Sequence, residues 1–351
     1  MSDEAKAKYR GEWVRQRAME SISVVIPTYN RAALLRRAIQ TVIEATTPKD
    51  EIIVVDDGST DDTSRVPSEF EREVRYLRVP NGGAGAARNV GVEAATHDLV
   101  GFADSDDEWL PSRLDKQRTL METRRDLVFS FSNFGQLFPD GSIEHAWGKQ
   151  WHEDSRGWDE ILGAGQPCSA LIPLLPGVAD VPVHIGSMYR NQLHTNYINV
   201  NTVLARRSLA GEAFRFGIGL PTWEECECFA RLTRLGPCAY LDVDTALQRA
   251  HGGPRLTDAD SIQVATARLL IISRTWATDE VFVREHGEEM HAIVEGLNKQ
   301  LARGFLLRGH FAQAREAAAR LHHGGLEKAI LRLPAPLLSQ ALTLYRARRK
   351  S

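Results

Sequence analysis

Four cysteines in 351 residues, Cys168, Cys226, Cys228 and Cys238, are too few and too irregularly spaced for a zinc site or a disulfide framework. Cys226 and Cys228 would diverge on a helix, so all four read as reduced thiols. No apolar run approaches the ~20 residues needed to span a bilayer. The first twenty residues carry Glu4, Lys6, Lys8, Arg10 and Arg15 and lack the apolar core of a signal peptide. They read as a solvated or weakly helical lead-in over 1–21, and the expected location is cytoplasmic. A formal charge of −3 gives no reason to propose nucleic acid as a partner. A dinucleotide fingerprint is also missing: Gly82, Gly83 and Gly85 follow the third strand-like run rather than the first, and Arg88 stands where glycine or alanine would be needed. What remains is an ordinary globular composition, long enough for one large domain with an appendage or for two domains.

The first half of the chain alternates strand and helix signals. Ser23–Ile26 is an apolar run ending in Pro27-Thr28-Tyr29-Asn30, and Ile52–Val55 is another ending in Asp56-Asp57-Gly58-Ser59. Between them, Leu34, Leu35, Ala38, Ile39, Val42 and Ile43 follow helical spacing over Ala32–Ala45. Asp61, Asp62 and Thr63 predict the start of a second helix, Val74–Val79 a third strand, and Ala84–Ala95 a third helix. Leu99–Ala103 is a continuous apolar run, the pattern of a strand covered on both faces, and it runs directly into Asp104, Asp106 and Asp107. This alternation predicts right-handed crossovers and a mostly parallel sheet flanked by helices. Ligands of such sheets bind beyond the carboxyl ends of the strands, and three polar strand ends converge there. Crowded carboxylates at that edge call for a hard cation, Mg2+ or Mn2+, shared with substrate phosphates.

Four blocks, V-V-I-P-T-Y-N-R, V-V-D-D-G-S-T-D-D-T, N-G-G-A-G-A-A-R-N and F-A-D-S-D-D-E-W-L-P, resemble the family-2 inverting glycosyltransferases with the GT-A fold, a Rossmann-like α/β architecture. The resemblance covers roughly residues 22–130. It implies transfer of a sugar from a nucleoside diphosphate, with UDP the expected nucleotide, to a hydroxyl of a glycan, lipid-linked or small-molecule acceptor. Asp57 matches the carboxylate that reads the base; a carboxylate accepts from N3–H of uracil or thymine, whereas cytosine has no proton there. Pro27, Tyr29, Asn30 and Ser105 fall in the blocks that line the donor site, with Tyr29 placed to stack on the base. Arg88 matches a position near the nucleotide, where a guanidinium fork suits phosphate oxygens. The resemblance assigns Asp106 to the metal and Asp104 to the ribose or the metal's outer shell, with Asp107 an indirect ligand or a helix cap.

Beyond residue 130 the pattern loosens. Asp140-Gly141 predicts a hairpin-like turn. Residues 145–190 hold Trp147, Trp151 and Trp158 among glycines and prolines, a length of irregular chain that suggests a binding loop or lid, with packing onto the sheet as the plainer reading. Asn199–Leu204 with Arg206-Arg207-Ser208 resembles the strand and turn that precede the family's acceptor helix. T-W-E-E-C-E-C-F-A-R, residues 222–231, resembles the acidic pair that opens that helix. Its second acid is Glu225, where aspartate is usual, and the resemblance makes it the general base. The upstream F-R-F-G-I-G-L departs from the usual F-D-E-x-L. Q-R-A-H, residues 248–251, resembles the segment that closes over the diphosphate, with Arg249 facing phosphate and His251 the metal.

The expected organisation is a donor-binding part over 22–130, an acceptor-binding part over 131–254 and a helical region over 255–351. Residues 305–321 resemble one helical-hairpin repeat of the tetratricopeptide sort, too little for a solenoid and suited to packing on the catalytic domain or in a homodimer. Leu337–Lys350 pairs apolar residues with Arg346, Arg348, Arg349 and Lys350, which suits either a solvated terminus or the anionic inner face of a membrane. Two other classes stand beside the transferase. A nucleotidyltransferase would want a basic, glycine-rich loop where P-T-Y-N-R stands. An inactive sugar-binding scaffold would have lost the acids, yet Asp57, Asp104, Asp106 and Glu225 all remain.

Overall fold

The computed structural model describes residues 19–152, 154–174, 178–250, 260–322 and 332–348. Strand and helix alternate as β1 (Ile22–Thr28), α1 (Ala32–Ala45), β2 (Glu51–Asp56), a 3-10 run (Asp62–Glu69), β3 (Arg75–Arg78), α2 (Ala84–Ala94) and β4 (Leu99–Phe102). Every residue of β1 and β4 is buried, as their unbroken apolar runs require of strands covered on both faces. Side chains alternate between two cores: Val25, Ile53 and Phe102 join Ala87 and Val92 of α2, while Val24, Ile26 and Val54 join Leu35, Ile39 and Val42 of α1. Gly91 lets α2 lie directly on β1, since a Cβ there would sit 2.2 Å from a Val25 methyl. The second expected helix is instead the 3-10 run, with Pro67 inside it removing a backbone donor. Asp61 caps that run by accepting the Thr63 N–H at 3.0 Å. The third strand, expected over Val74–Val79, spans Arg75–Arg78.

The sheet continues through β5 (Glu108–Trp109), β6 (Phe129–Leu137), β7 (Ile143–Glu144), β8 (Gln166–Pro167), β9 (Pro182–Gly186), β10 (Leu204–Arg206) and β11 (Cys238–Arg249), with α3 (Arg113–Thr123) and α4 (Glu224–Leu235) beside it. Its order is β3-β2-β1-β4-β10-β6-β11-β9-β8, with β5 on β11 and β7 on β6. β1, β2, β3 and β4 run parallel, as do β6 and β11, while β10 is antiparallel to both its neighbours. The expected mostly parallel sheet flanked by helices is thus observed. Arg113 is buried behind the site, stacked over Trp109 at 4.1 Å and donating to the Thr202 and Val203 carbonyls. Burial pushes its guanidinium down to about 9.

The tryptophan-rich segment packs rather than projecting its rings. Trp147 meets Phe138 edge-on at 6.0 Å, Trp151 meets Phe134 at 5.8 Å, and Trp158 stacks on Tyr240 at 3.8 Å. All four cysteines are buried, and none forms a disulfide among the described residues.

The chain divides into two compact units, 1–218 with 224–252, and 219–223 with 253–351. The second is helical: α5 (Ser261–Arg274), α6 (Glu280–Arg308), α7 (Phe311–Ala319) and α8 (Ala335–Arg348). Asp260 caps α5 through a reciprocal pair with Gln263. Gly309, at φ +80°, ends α6 and turns the chain into α7, which gives the helical hairpin expected over 305–321. Among the described residues, no helix is long and apolar enough to cross a membrane. Arg349 and Lys350 of the basic terminus lie outside the described residues.

Candidate active site

Parallel strands β1, β2 and β4 deliver their carboxyl ends to one edge of the sheet. After β1, in which Pro27 is buried opposite Val55, the chain exposes Tyr29, 46% accessible. Asn30 follows at φ +51°, a left-handed backbone that asparagine tolerates better than most residues. Its Oδ1 accepts the Thr60 N–H at 2.7 Å, and its own N–H donates to Ser59 Oγ at 2.8 Å, so Asn30 locks the loop after β1 to the loop after β2. Asp56 is fully buried, accepting from Ser59 N–H at 2.8 Å and from the Tyr76 hydroxyl. Asp57 faces the other way. Its two oxygens accept the N–H groups of Gly82 at 2.7 Å and Gly83 at 2.8 Å, fastening the glycine loop at the start of α2. Each oxygen keeps a lone pair for a further donor.

The acid loop after β4 is held from behind by Asn201. Its Oδ1 accepts the Asp104 N–H at 2.5 Å and its Nδ2 donates to Asp107 at 2.5 Å. The other Asp107 oxygen accepts the Arg249 N–H at 2.9 Å, so Asp107 ties the loop to the end of β11 instead of capping the next helix. Ser105 is buried between them. Asp106 remains at the cleft and accepts from Arg31 at 2.5 Å. The Arg249 guanidinium is drawn onto Glu108, which also pairs with Arg37 at 2.6 Å, so the structure seats Arg249 at the acid loop with its charge already engaged.

Arg88, expected near the nucleotide, has a buried side chain that donates to Asp104 at 2.7 Å and Glu224 at 2.9 Å. Burial alone would depress its pKa, but these two carboxylates outweigh it and hold the group firmly protonated. A donor-side acid and the first residue of α4 are thereby joined through one guanidinium. Gly85 permits this closeness, because a Cβ there would lie 2.7 Å from the Gly217 carbonyl and 3.0 Å from Glu224 Cγ.

Glu225 follows on α4 and accepts from Asn196 Nδ2 at 3.0 Å. Its surroundings push it up to about 8: burial comes first, the neighbouring Glu224 adds to it, and Arg88 partly offsets both. A carboxyl poised near neutrality fits proton abstraction better than one at its ordinary value.

The donor set suits a hard cation only when shared. Among the described residues, no three of His, Cys, Asp and Glu gather as a metal cage. Asp106, with Asp104 two positions away, would supply one or two carboxylates, with phosphate oxygens and water completing the shell, which is the usual habit of Mg2+. The Arg31 guanidinium on Asp106 marks that carboxylate as a seat for positive charge. His251 lies outside the described residues.

Asn196 and Asn201 were not singled out from the sequence, although a signal was present. Asn196, Asn199 and Asn201 interrupt an otherwise apolar stretch, Tyr197-Ile198 and Val200, and buried amides in such a run need partners.

Comparison with known proteins agrees with this geometry. Residues 23–161 match the model of Glycosyl transferase family 2. An uncharacterized glycosyltransferase of Rickettsia felis is 35% identical over 122 residues, covering 34% of this chain and 20% of its own. The UDP-Glc:alpha-D-GlcNAc-diphosphoundecaprenol beta-1,3-glucosyltransferase WfaP of Escherichia coli is 33% identical over 119 residues, covering 33% of this chain and 47% of its own. The chain therefore spans less than half the length of either. The crystal structure of S. aureus TarS 1-349 superposes with a TM-score of 0.56 at 17% identity, covering 94% of this chain and 91% of that one.

Proposed function

Since residues 23–161 form a family-2 glycosyltransferase domain with the GT-A fold, we propose that this chain moves a sugar from UDP to an acceptor hydroxyl by a metal-assisted, inverting displacement. One observation carries the reading. Three carboxylates, Asp57, Asp106 and Glu225, stand on three elements, with Arg88 bridging Asp104 to the Glu224 beside Glu225, which supports reading them as the acids of the base, the cation and the acceptor. The donor named for WfaP, UDP-Glc, supports a UDP-hexose here.

The roles follow from charge. Asp57 keeps acceptor capacity for N3–H of uracil while it holds the glycine loop. Tyr29, exposed at the same edge, offers a ring face to the base. Asp106, with Asp104 nearby, would hold Mg2+ or Mn2+, which when bound would neutralise charge on the departing diphosphate. Arg31 and Arg249 bring positive charge to the same loop. Glu225 takes the proton of the attacking hydroxyl from the face opposite the diphosphate. The acceptor class is a hydroxyl of a glycan, a lipid-linked sugar or a small molecule, and the diphosphoundecaprenol named for WfaP favours a lipid-linked one.

The test is a donor panel: UDP-, dTDP- and GDP-sugars incubated with the protein and Mn2+, with release of the nucleoside diphosphate as readout. Release from a UDP-sugar, lost with EDTA, is expected. A protein that binds and cleaves none of them is not this enzyme.

A further inference from the structure

Asn196 stands on the opposite end of the asparagine-bearing stretch from Asn201 and serves a different acid. It is 5% exposed, and its Nδ2 donates to Glu225 at 3.0 Å. Its Oδ1 accepts the Ile198 N–H at 3.2 Å and meets Gln192 Nε2 at 3.5 Å. The opposite amide orientation would set an NH2 group against that backbone N–H and a carbonyl against the carboxylate, so the network fixes which end faces Glu225. The surrounding segment is anchored on both sides. Thr195 Oγ1 donates to the His152 carbonyl at 3.3 Å, Tyr197 donates to Asp154 at 2.5 Å, and Asn191 Nδ2 donates to the Ile161 carbonyl at 2.8 Å. The stretch carrying Asn196 is therefore held by the tryptophan-rich segment, which links that segment to Glu225.

We infer that Asn196 is a positioning residue: it aims the Glu225 carboxylate into the cleft and stabilises its ionised form, keeping the base ready to accept a proton. The inference rests on the reading of Glu225 as the base. Burial and the facing acids Glu224 and Asp104 press Glu225 toward its neutral form, and Arg88 opposes them. Asn196 adds a neutral donor in direct contact. A hydrogen bond to a charged acceptor shifts such an equilibrium by roughly 10- to 100-fold.

The test uses full-length protein labelled with 13C at glutamate carboxyl carbons, titrated by NMR, with the Glu225 resonance assigned by its loss in Glu225→Gln. Asn196→Ala removes the donor without adding charge, and the apolar Asn196→Val keeps more of the volume should alanine fail to fold. In both, the Glu225 midpoint is expected to rise by about one pH unit or more, while UDP affinity by calorimetry stays at the wild-type level. UDP release from UDP-glucose is expected to fall by roughly tenfold at neutral pH and to recover as pH passes the raised midpoint. Loss through general misfolding would show no such recovery. Asn196→Ser, a shorter hydroxyl donor, should restore part of the shift. A Glu225 midpoint unmoved in a folded variant overturns the inference. Wild-type UDP release in Glu225→Gln would instead remove the base reading, and with it the catalytic meaning of Asn196, even if the midpoint moves; the two failures are read on different instruments.

Discussion

Arg88 of α2 donates to Glu224, the first residue of α4, at 2.9 Å across 136 positions of sequence. Because the same guanidinium holds Asp104, the donor-side loop and the acceptor-side helix share one buried cation. Removing one member of such a group strands charge in the interior, which costs far more than the intact group contributes. Arg88→Met is therefore expected to destabilise the fold by about 3–5 kcal/mol, read by chemical denaturation. Arg88→Lys retains the charge but cannot span two carboxylates, so it should fall between the two. Wild-type stability in Arg88→Met would mean that the pair is not buried in solution as described.

Asp57 holds the glycine loop, and the proposed reading gives it a second duty at the base; the two separate experimentally. UDP is expected to bind more tightly than CDP, since only the uracil ring offers a donor at N3. Asp57→Asn places an NH2 group against the N–H of Gly82 or Gly83, so it should loosen the glycine loop as well as weaken UDP. Isothermal calorimetry reads both. Equal UDP and CDP affinities would leave Asp57 as a loop anchor alone.

In the proposed reading the cation acts through Asp106. UDP affinity is expected to rise with Mn2+ and to return to the metal-free value with EDTA. In Asp106→Asn the Mn2+-dependent increment should vanish, while metal-free UDP binding changes little. An undiminished increment in that variant would move the cation elsewhere.

Glu225 should depress stability where it is ionised. Its folded value lies near 8 and its ordinary value near 4.5, so ionisation disfavours the native state. The penalty is absent below the ordinary value, grows as pH rises between the two, and is complete above the folded one. Glu225→Gln removes it and should melt higher than wild type at alkaline pH, with the difference closing under acid conditions. Scanning calorimetry at several pH values reads the crossover, and a constant offset would contradict the raised value.

Much of this was legible in the residues. Leu99–Phe102 announced a strand buried on both faces, and the acids after it sit where a parallel sheet binds ligands. Helix α1 runs from Ala32 to Ala45, where its apolar spacing put it. The acidic start at Asp61–Thr63 does open a helical stretch, but with Pro67 inside it the run is 3-10 rather than α. The partners of Arg88 were hidden for a different reason. Sequence shows a guanidinium near the nucleotide loop, but its acid partner Glu224 is a distant residue that only folding brings close. Asn196 and Asn201 escaped because amides carry no chemistry of their own; their value lies in the carboxylates they hold.

The central claim is a single displacement in which Glu225 deprotonates the attacking hydroxyl. The most direct measurement is proton NMR of the sugar first released when wild-type protein, Mn2+ and a UDP-α-hexose are mixed without acceptor, so that water attacks in its place. In-line attack opposite the diphosphate predicts the β-anomer at early times, before mutarotation, with the signal reduced by ~100- to 10,000-fold in Glu225→Gln and much less in Glu224→Gln. Initial release of the α-anomer, or undiminished β-anomer from Glu225→Gln, would contradict the account.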